Sequence, residues 1–255
     1  GASAFEYDVT FNATLVDPAV LDATGVVTNV TCNGGGNGLI VLTTTGGVAP
    51  YTYVWTKTGF PSNVYPNSAS IGALDAGTYN VTIYDSNGDT FTDSFVVTEP
   101  AAVVANLTVT NVTCNGIGNG IATFAPTGGT APYTYVIDGA LRVSPATGLA
   151  VGSHLYLVID ANGCTVSGTF SVTEPLALTS SIYIENVLCY GTATGKATLY
   201  AGDGTPPYEY SFDGGAYSSS NIGSFLAAGP HTVILKDAND CLKVTDFSIS
   251  QPADI

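Results

Sequence analysis

The chain has 255 residues, with 5 basic against 20 acidic side chains and a net charge of −15. That balance argues against nucleic acid and against anionic membrane surfaces as partners, because both repel an acidic protein. No run approaches the roughly 18 apolar residues of a membrane helix, so no membrane insertion is expected; 45% hydrophobic content, with alternating Val, Ile and Tyr, indicates a buried core rather than a disordered acidic tail.

Residues 1–18 end on Asp17-Pro18, the form in which each later unit closes: Glu99-Pro100, Glu174-Pro175 and Gln251-Pro252. They read as the tail of a preceding repeat or as a vector-derived segment. Three units follow, at 19–100, 101–175 and 176–255. Each carries a cysteine turn at one fixed interval past the previous closing proline, Pro18 to Cys32, Pro100 to Cys114 and Pro175 to Cys189. The turns read Val30-Thr31-Cys32-Asn33-Gly34, Val112-Thr113-Cys114-Asn115-Gly116 and Val187-Leu188-Cys189-Tyr190-Gly191. Self-similarity at a fixed period marks an array of one small domain.

Within the first unit, the Gly46-Gly47 bend leads to Pro50-Tyr51-Thr52-Tyr53. Trp55 then falls where a core residue between two sheets belongs, with Ile137 and Phe212 in its place in the later units. A loop around residues 60–70 is opened relative to the other copies. Leu74 to Tyr79 resembles a tyrosine corner, and Asn87-Gly88 predicts a type I′ hairpin turn. The second unit predicts strands over 103–113, 120–125, 133–137, 155–159 and 165–173, each alternating β-branched or aromatic residues with small polar ones. The third repeats the order, with Pro207-Tyr208-Glu209-Tyr210 and Asn239-Asp240 at the corresponding places. Six or seven short strands per unit, with turn signals between them, predict an all-β fold of tandem immunoglobulin-like antiparallel sandwiches. Short, proline-led junctions predict an elongated rod, and a monomer is expected.

The ordered set VTCNG, GNG, TGGTAPYTY, LDAGTY, DANGC and VTEP resembles the SprB repeat of very large cell-surface adhesins in gliding Bacteroidetes, three times over between residues 24 and 252. The sequence departs from that pattern at Asp89, which stands where a cysteine is expected, and at Tyr190 and Lys196. The resemblance implies an extracellular, cell-surface location, export by the type IX pathway and a part in surface attachment and gliding. It implies a non-catalytic segment acting as a stiff extender and adhesive stalk, with an external surface or polysaccharide as a partner beside the neighbouring repeats. A carbohydrate-binding module array and a non-catalytic appendage of a secreted hydrolase are the alternatives.

The candidate chemistry is sparse. His154 and His231 stand before Asp160 and Asp237 as Tyr79 stands before Asp85, so all three occupy the corner slot and a structural role is expected. No catalytic constellation recurs between copies, and neither an enzyme nor a cofactor is expected. Asp85, Asn87 and Asp89 place oxygen donors at alternate positions, which suits Ca²⁺; a hairpin turn without an ion is the preferred reading. Tyr51 with Tyr53 and Tyr133 with Tyr135 share a strand face and are expected in the core rather than as exposed sugar platforms.

The repeat register also predicts the disulfides. A second cysteine precedes the closing proline by one fixed interval in the second and third units, Cys164 before Pro175 and Cys241 before Pro252, and Asp89 takes that place before Pro100 in the first. Exported domains of about 75 residues use such bonds to supplement a thin core. Pairing within units gives Cys114 with Cys164 and Cys189 with Cys241, leaving Cys32 as a free, buried thiol.

Overall fold

The alternation read from the sequence becomes burial on one strand face. In Gly38–Thr45, Gly38, Ile40 and Leu42 point into a core while Val41 and Thr43 face outward, the period-two pattern of a half-covered antiparallel sheet. The structure, a computed structural model, describes residues 19–60 and 65–254; the 1–18 segment lies outside these. Every regular element among the described residues is a β-strand.

The first sandwich contains β1 (Asp22–Thr28), β2 (Gly38–Thr45), β3 (Thr52–Lys57), β4 (Ser70–Leu74), β5 (Gly77–Tyr84) and β6 (Thr90–Val97). One sheet has the order β1-β2-β4 and the other β3-β5-β6, all pairings antiparallel. Between them lie Ile40, Trp55, Ile71, Leu74, Tyr79, Val81, Ile83 and Val97, each at most 4% exposed. Trp55 packs on Phe95 and donates its indole N–H to the Ser68 carbonyl, which satisfies the polar edge that burial would otherwise leave unpaired.

The second sandwich contains β7 (Leu107–Thr110), β8 (Gly120–Phe124), β9 (Thr134–Ile137), β10 (Ala140–Arg142), β11 (Ala146–Leu149), β12 (Gly152–Ile159) and β13 (Thr165–Val172). Its sheets run β11-β8-β7 and β10-β9-β12-β13. The third contains β14 (Thr179–Glu185), β15 (Gly195–Gly202), β16 (Glu209–Phe212), β17 (Ile222–Leu226), β18 (Gly229–Lys236) and β19 (Leu242–Ile249), in sheets β14-β15-β17 and β16-β18-β19. The short β10 and β11 were not foreseen, because Ala140–Arg142 and Ala146–Leu149 lack a β-branched alternation. The 103–113 run shortens to β7, since Asn106 takes a positive φ of 44° and breaks the strand.

One small-residue position recurs for a steric reason. A Cβ on Gly38, Gly120 or Gly195 would meet the carbonyl oxygen of Leu74, Leu149 or Leu226 at 2.8 to 2.9 Å. The two strands of that pair approach too closely there for any side chain.

Two compact units emerge from the contacts. The first comprises the first sandwich together with Gly128–Thr130 and Asn162–Cys164. The second comprises Val103–Thr127, Ala131–Ala161 and Thr165 onward, and so holds the cores of the second and third sandwiches.

Candidate functional site

The most organised polar structure in each repeat surrounds its early cysteine turn and its late hairpin turn, at opposite ends of one long hairpin. Strands β5 and β6, β12 and β13, and β18 and β19 pair over eight residues each. The closing Glu-Pro, Gln-Pro in the third repeat, lies just past the end of this hairpin and folds onto the early cysteine turn. Val30 and Val112 donate their N–H groups to the Thr98 and Thr173 carbonyls, and Val187 to that of Ser250. Asn33 and Asn115 donate to the carbonyls of Pro100 and Pro175, and the carboxylates of Glu99 and Glu174 accept from Gly34 and Gly116 N–H. Asn37 and Asn119 brace the same turn by accepting from Thr31 and Thr113 N–H and donating to their hydroxyls. Each early cysteine is therefore fixed at the exit of its own repeat.

The late hairpin turn sits at the other end. The Asp85 carboxylate accepts the N–H of Asn87 and of Asp89 at 2.9 Å on one oxygen and that of Val48 at 2.8 Å on the other. Asp237 does the same with Asn239, Cys241 and Thr205. Burial pushes the Asp85 carboxyl up, but the backbone donors of Val48, Asp89 and Asn87 outweigh it and hold it below the usual carboxylate range. This carboxylate staple also replaces the expected type I′ turn. Only Gly88, Gly163 and Asp240 take positive φ at these tips, whereas a type I′ turn needs it at two successive residues. Among the described residues no cluster of three or more His, Cys, Asp or Glu side chains could hold a metal.

The disulfides correct the sequence reading. Cys32 is not a free thiol: it bonds Cys164, with Cα atoms 5.5 Å apart. Cys114 bonds Cys241, at 5.6 Å, and Cys189 is the free, exposed cysteine. Neither the Cys114 to Cys164 pair nor the Cys189 to Cys241 pair forms. The reason is the length of the hairpin. The turn that carries Cys114 is tied through Val112 to Thr173, just past the end of β13, while Cys164 immediately precedes its start. An eight-residue strand rises about 25 Å, far beyond the roughly 7 Å Cα separation a disulfide spans. Cys32 and Cys114 instead meet the late hairpins of the second and third repeats. There Asn162 donates to the Thr31 carbonyl and the Thr130 hydroxyl, and Asn239 to the Thr113 carbonyl and the Thr205 hydroxyl. The hairpin tip thus brings an amide and a sulfur to the same turn in both cases.

The corner residues form the second recurring constellation. Tyr79 O–H donates to the carbonyl and carboxylate of Asp75 at 2.9 and 2.8 Å. His154 and His231 place Nε2 on the carbonyls of Ala150 and Ala227, again four residues back, at 2.9 and 2.8 Å. Their Nδ1 atoms face Asp138 and Asp213 at 2.6 and 2.7 Å. With an acceptor on both ring nitrogens, the doubly protonated imidazolium is favoured. Asp138 and then the Ala150 carbonyl raise the His154 pKa; for His231 the Ala227 carbonyl is the larger cause, opposed by burial and aided by Asp213. In the first repeat the cation is Lys57, 2.7 Å from Asp75. These groups are hydrogen-bonded to their own loops, an arrangement that positions backbone.

The paired tyrosines lie partly within the cores. Tyr51, Tyr53, Tyr133 and Tyr135 pack against their clusters, and Tyr210 is buried. Tyr51 and Tyr208 donate to the Gly46 and Asp203 carbonyls at 2.7 and 2.6 Å.

Sheets of this order, packed face to face around Trp55 or its replacements and repeated three times, define a tandem immunoglobulin-like β-sandwich protein. The family model described as "SprB repeat" matches residues 24–60, 106–141 and 181–217, one match in each sandwich. The chain carries three SprB repeats. It is also 47% identical over 49 residues, 18% of its length, to a decoration protein of Escherichia phage T5, of which the match covers 30%. The solved structures it resembles include the N-terminal eight immunoglobulin domains of Down Syndrome Cell Adhesion Molecule (13% identity, 93% of this chain and 42% of that one, TM-score 0.33). Domains 4–9 of the surface layer protein SbsC are also similar (16% identity, 93% of this chain and 48% of that one, TM-score 0.28). The chain spans under half the length of each of these three proteins.

Proposed function

We propose that the chain is a non-catalytic stalk segment of a cell-surface adhesin, one that spaces an adhesive part away from the cell during attachment and gliding. The observation that carries this reading is the linkage of successive repeats by disulfides between the early turn of one and the late hairpin of the next. Such bonds suit an oxidising, extracellular setting. The corner histidines and the hairpin carboxylates are spent on their own backbones, which supports a structural rather than a catalytic part. The tyrosine pairs contribute to the cores, and that favours a spacer over a carbohydrate-binding array.

Antibodies raised against this chain should label intact, unpermeabilised producing cells and reduce their attachment to a surface. Labelling that appears only after lysis would overturn the reading. Saturable binding to a glycan array, abolished by Tyr→Ala changes in the repeats, would favour the carbohydrate-binding alternative.

A further inference from the structure

The early cysteine turns of the first two repeats are each occupied, and the third repeats their construction. Val187 N–H is held by the Ser250 carbonyl, the Ser250 N–H by Asn186, and Gly191 N–H by the Gln251 side chain. These match the bonds of Val112, Asn111 and Gly116 to Thr173 and Glu174. Cys189 is thus presented as Cys32 and Cys114 are, yet it is a free, exposed thiol.

The surroundings differ in polarity in an informative way. Thr31 and Thr113 correspond to Leu188, which is 84% exposed, and Asn33 and Asn115 to Tyr190, 52% exposed. With Cys189, Pro252 and Ala253 these two line a groove. At the turn of the second repeat, the groove around Cys114 is completed by Asp240, Cys241 and Leu242 of the third repeat's hairpin.

We propose that the Leu188–Tyr190 turn is a docking site for the late hairpin of a further SprB repeat, and that Cys189 forms a disulfide with that hairpin's cysteine. The inference rests on the tandem-stalk reading. The occupant is specified by what fills the other two turns: a hairpin of the form Asp-x-Asn-x-Cys. Its Asn amide donates to the Leu188 carbonyl as Asn162 and Asn239 do to Thr31 and Thr113. An apolar residue following its cysteine, as Leu242 follows Cys241, covers Leu188 and Tyr190. In forming the bond, the two thiols lose two protons and two electrons to a small-molecule disulfide, which leaves as two thiols. The interface is heterologous, turn to hairpin, so it propagates along an array rather than closing a symmetric pair.

The test extends the full chain after Pro252 by a second copy of residues 176–255 and oxidises it in a glutathione buffer. Peptide mapping should return Cys32–Cys164, Cys114–Cys241 and a third bridge from Cys189 to the added copy of Cys241. Alkylation of Cys189 should fall at least tenfold relative to the unextended chain. The first two bridges report that the extended chain has folded. If they form while Cys189 remains fully alkylatable, the proposal is wrong; if they are missing from the unextended chain, the stalk reading itself fails. Asp89→Cys in the unextended chain provides an independent check. The introduced thiol completes a late hairpin in the first repeat, so head-to-tail multimers joined through Cys189 should appear. Dimers joined only between like positions would overturn the proposal.

Discussion

Reducing the two disulfides should lower the stability of the second and third sandwiches, and by a calculable amount. When the second sandwich unfolds beside a folded first one, Cys164 stays tethered to Cys32 at the exit of the first repeat, and the constrained stretch runs from Pro100 to Cys164. The chain-entropy relation for a loop of roughly 65 residues gives about 4 kcal/mol at 25 °C. The third sandwich is tethered through Cys241, and its stretch from Pro175 is of nearly the same length, so the same figure applies. For domains of this size each kcal/mol moves the midpoint by about 4 to 8 °C, so a shift of about 16 to 32 °C is expected. Calorimetry of the chain with and without a reductant, and of a Cys32→Ser, Cys164→Ser, Cys114→Ser, Cys241→Ser variant, measures it. The variant should melt like the reduced protein. A shift corresponding to under about 1 kcal/mol in both would refute the reasoning, because bonds that close such loops cannot leave the unfolded ensemble unaffected.

Three further outcomes are expected. Because the folded-state pKa of His154 and His231 lies above 6.5, their contribution is complete below that pH and is lost as pH rises through the folded value. The lowered pKa of Asp138 and Asp213 keeps the pair intact above about pH 4 and weakens it as pH falls further. The melting temperatures of the second and third sandwiches should therefore decline as pH rises above about 6.5, towards the flat profile of a His154→Gln, His231→Gln variant; matching slopes in the two proteins would exclude the corner as the cause. Adding EDTA should leave the melting temperature of the first sandwich unchanged, since Asp85 is occupied by backbone donors. A fall reversed by Ca²⁺ but not by Mg²⁺ would establish a calcium site. Gly120→Ala should destabilise the second sandwich by about 2 kcal/mol or more, as an inserted Cβ must displace the Leu149 carbonyl or Val172; chemical denaturation of this variant reads the change directly.

The repeat register, the strand alternation and the corner slot were all legible because each is a local pattern repeated three times. Position arithmetic alone put Tyr79, His154 and His231 in one slot, and each places its polar edge on the carbonyl four residues back. The cysteine partners were not legible in the same way, because five cysteines fit two schemes. Pairing within repeats leaves Cys32 over; pairing between repeats leaves Cys189 over. A signal was present all the same: the stretch from Cys164 to Pro175, or from Cys241 to Pro252, is one strand long, and such a strand separates its ends by more than a disulfide spans. Following that strand to the Glu-Pro that grips the early turn would have placed the two cysteines of one repeat at opposite ends of it. The turn at Asn87-Gly88 failed for a different reason, since dipeptide preference ignores the Asp85 carboxylate that gathers the loop around itself.

The two bonds interleave along the chain, one joining positions 32 and 164 and the other 114 and 241. This matters for a chain pulled from its ends. With every strand undone, the backbone route from Cys32 to Cys241 would extend to about 730 Å, at about 3.5 Å per residue. Through the sulfurs the shortest covalent route uses only the segment between Cys114 and Cys164, traversed in reverse. At the same rise per residue, that limits the stretch between Cys32 and Cys241 to about 180 Å. Tension applied from outside would pass through sulfur before it reached most of the backbone. An end-to-end pull would meet a covalent stop at about a quarter of the extension that the unbridged chain allows.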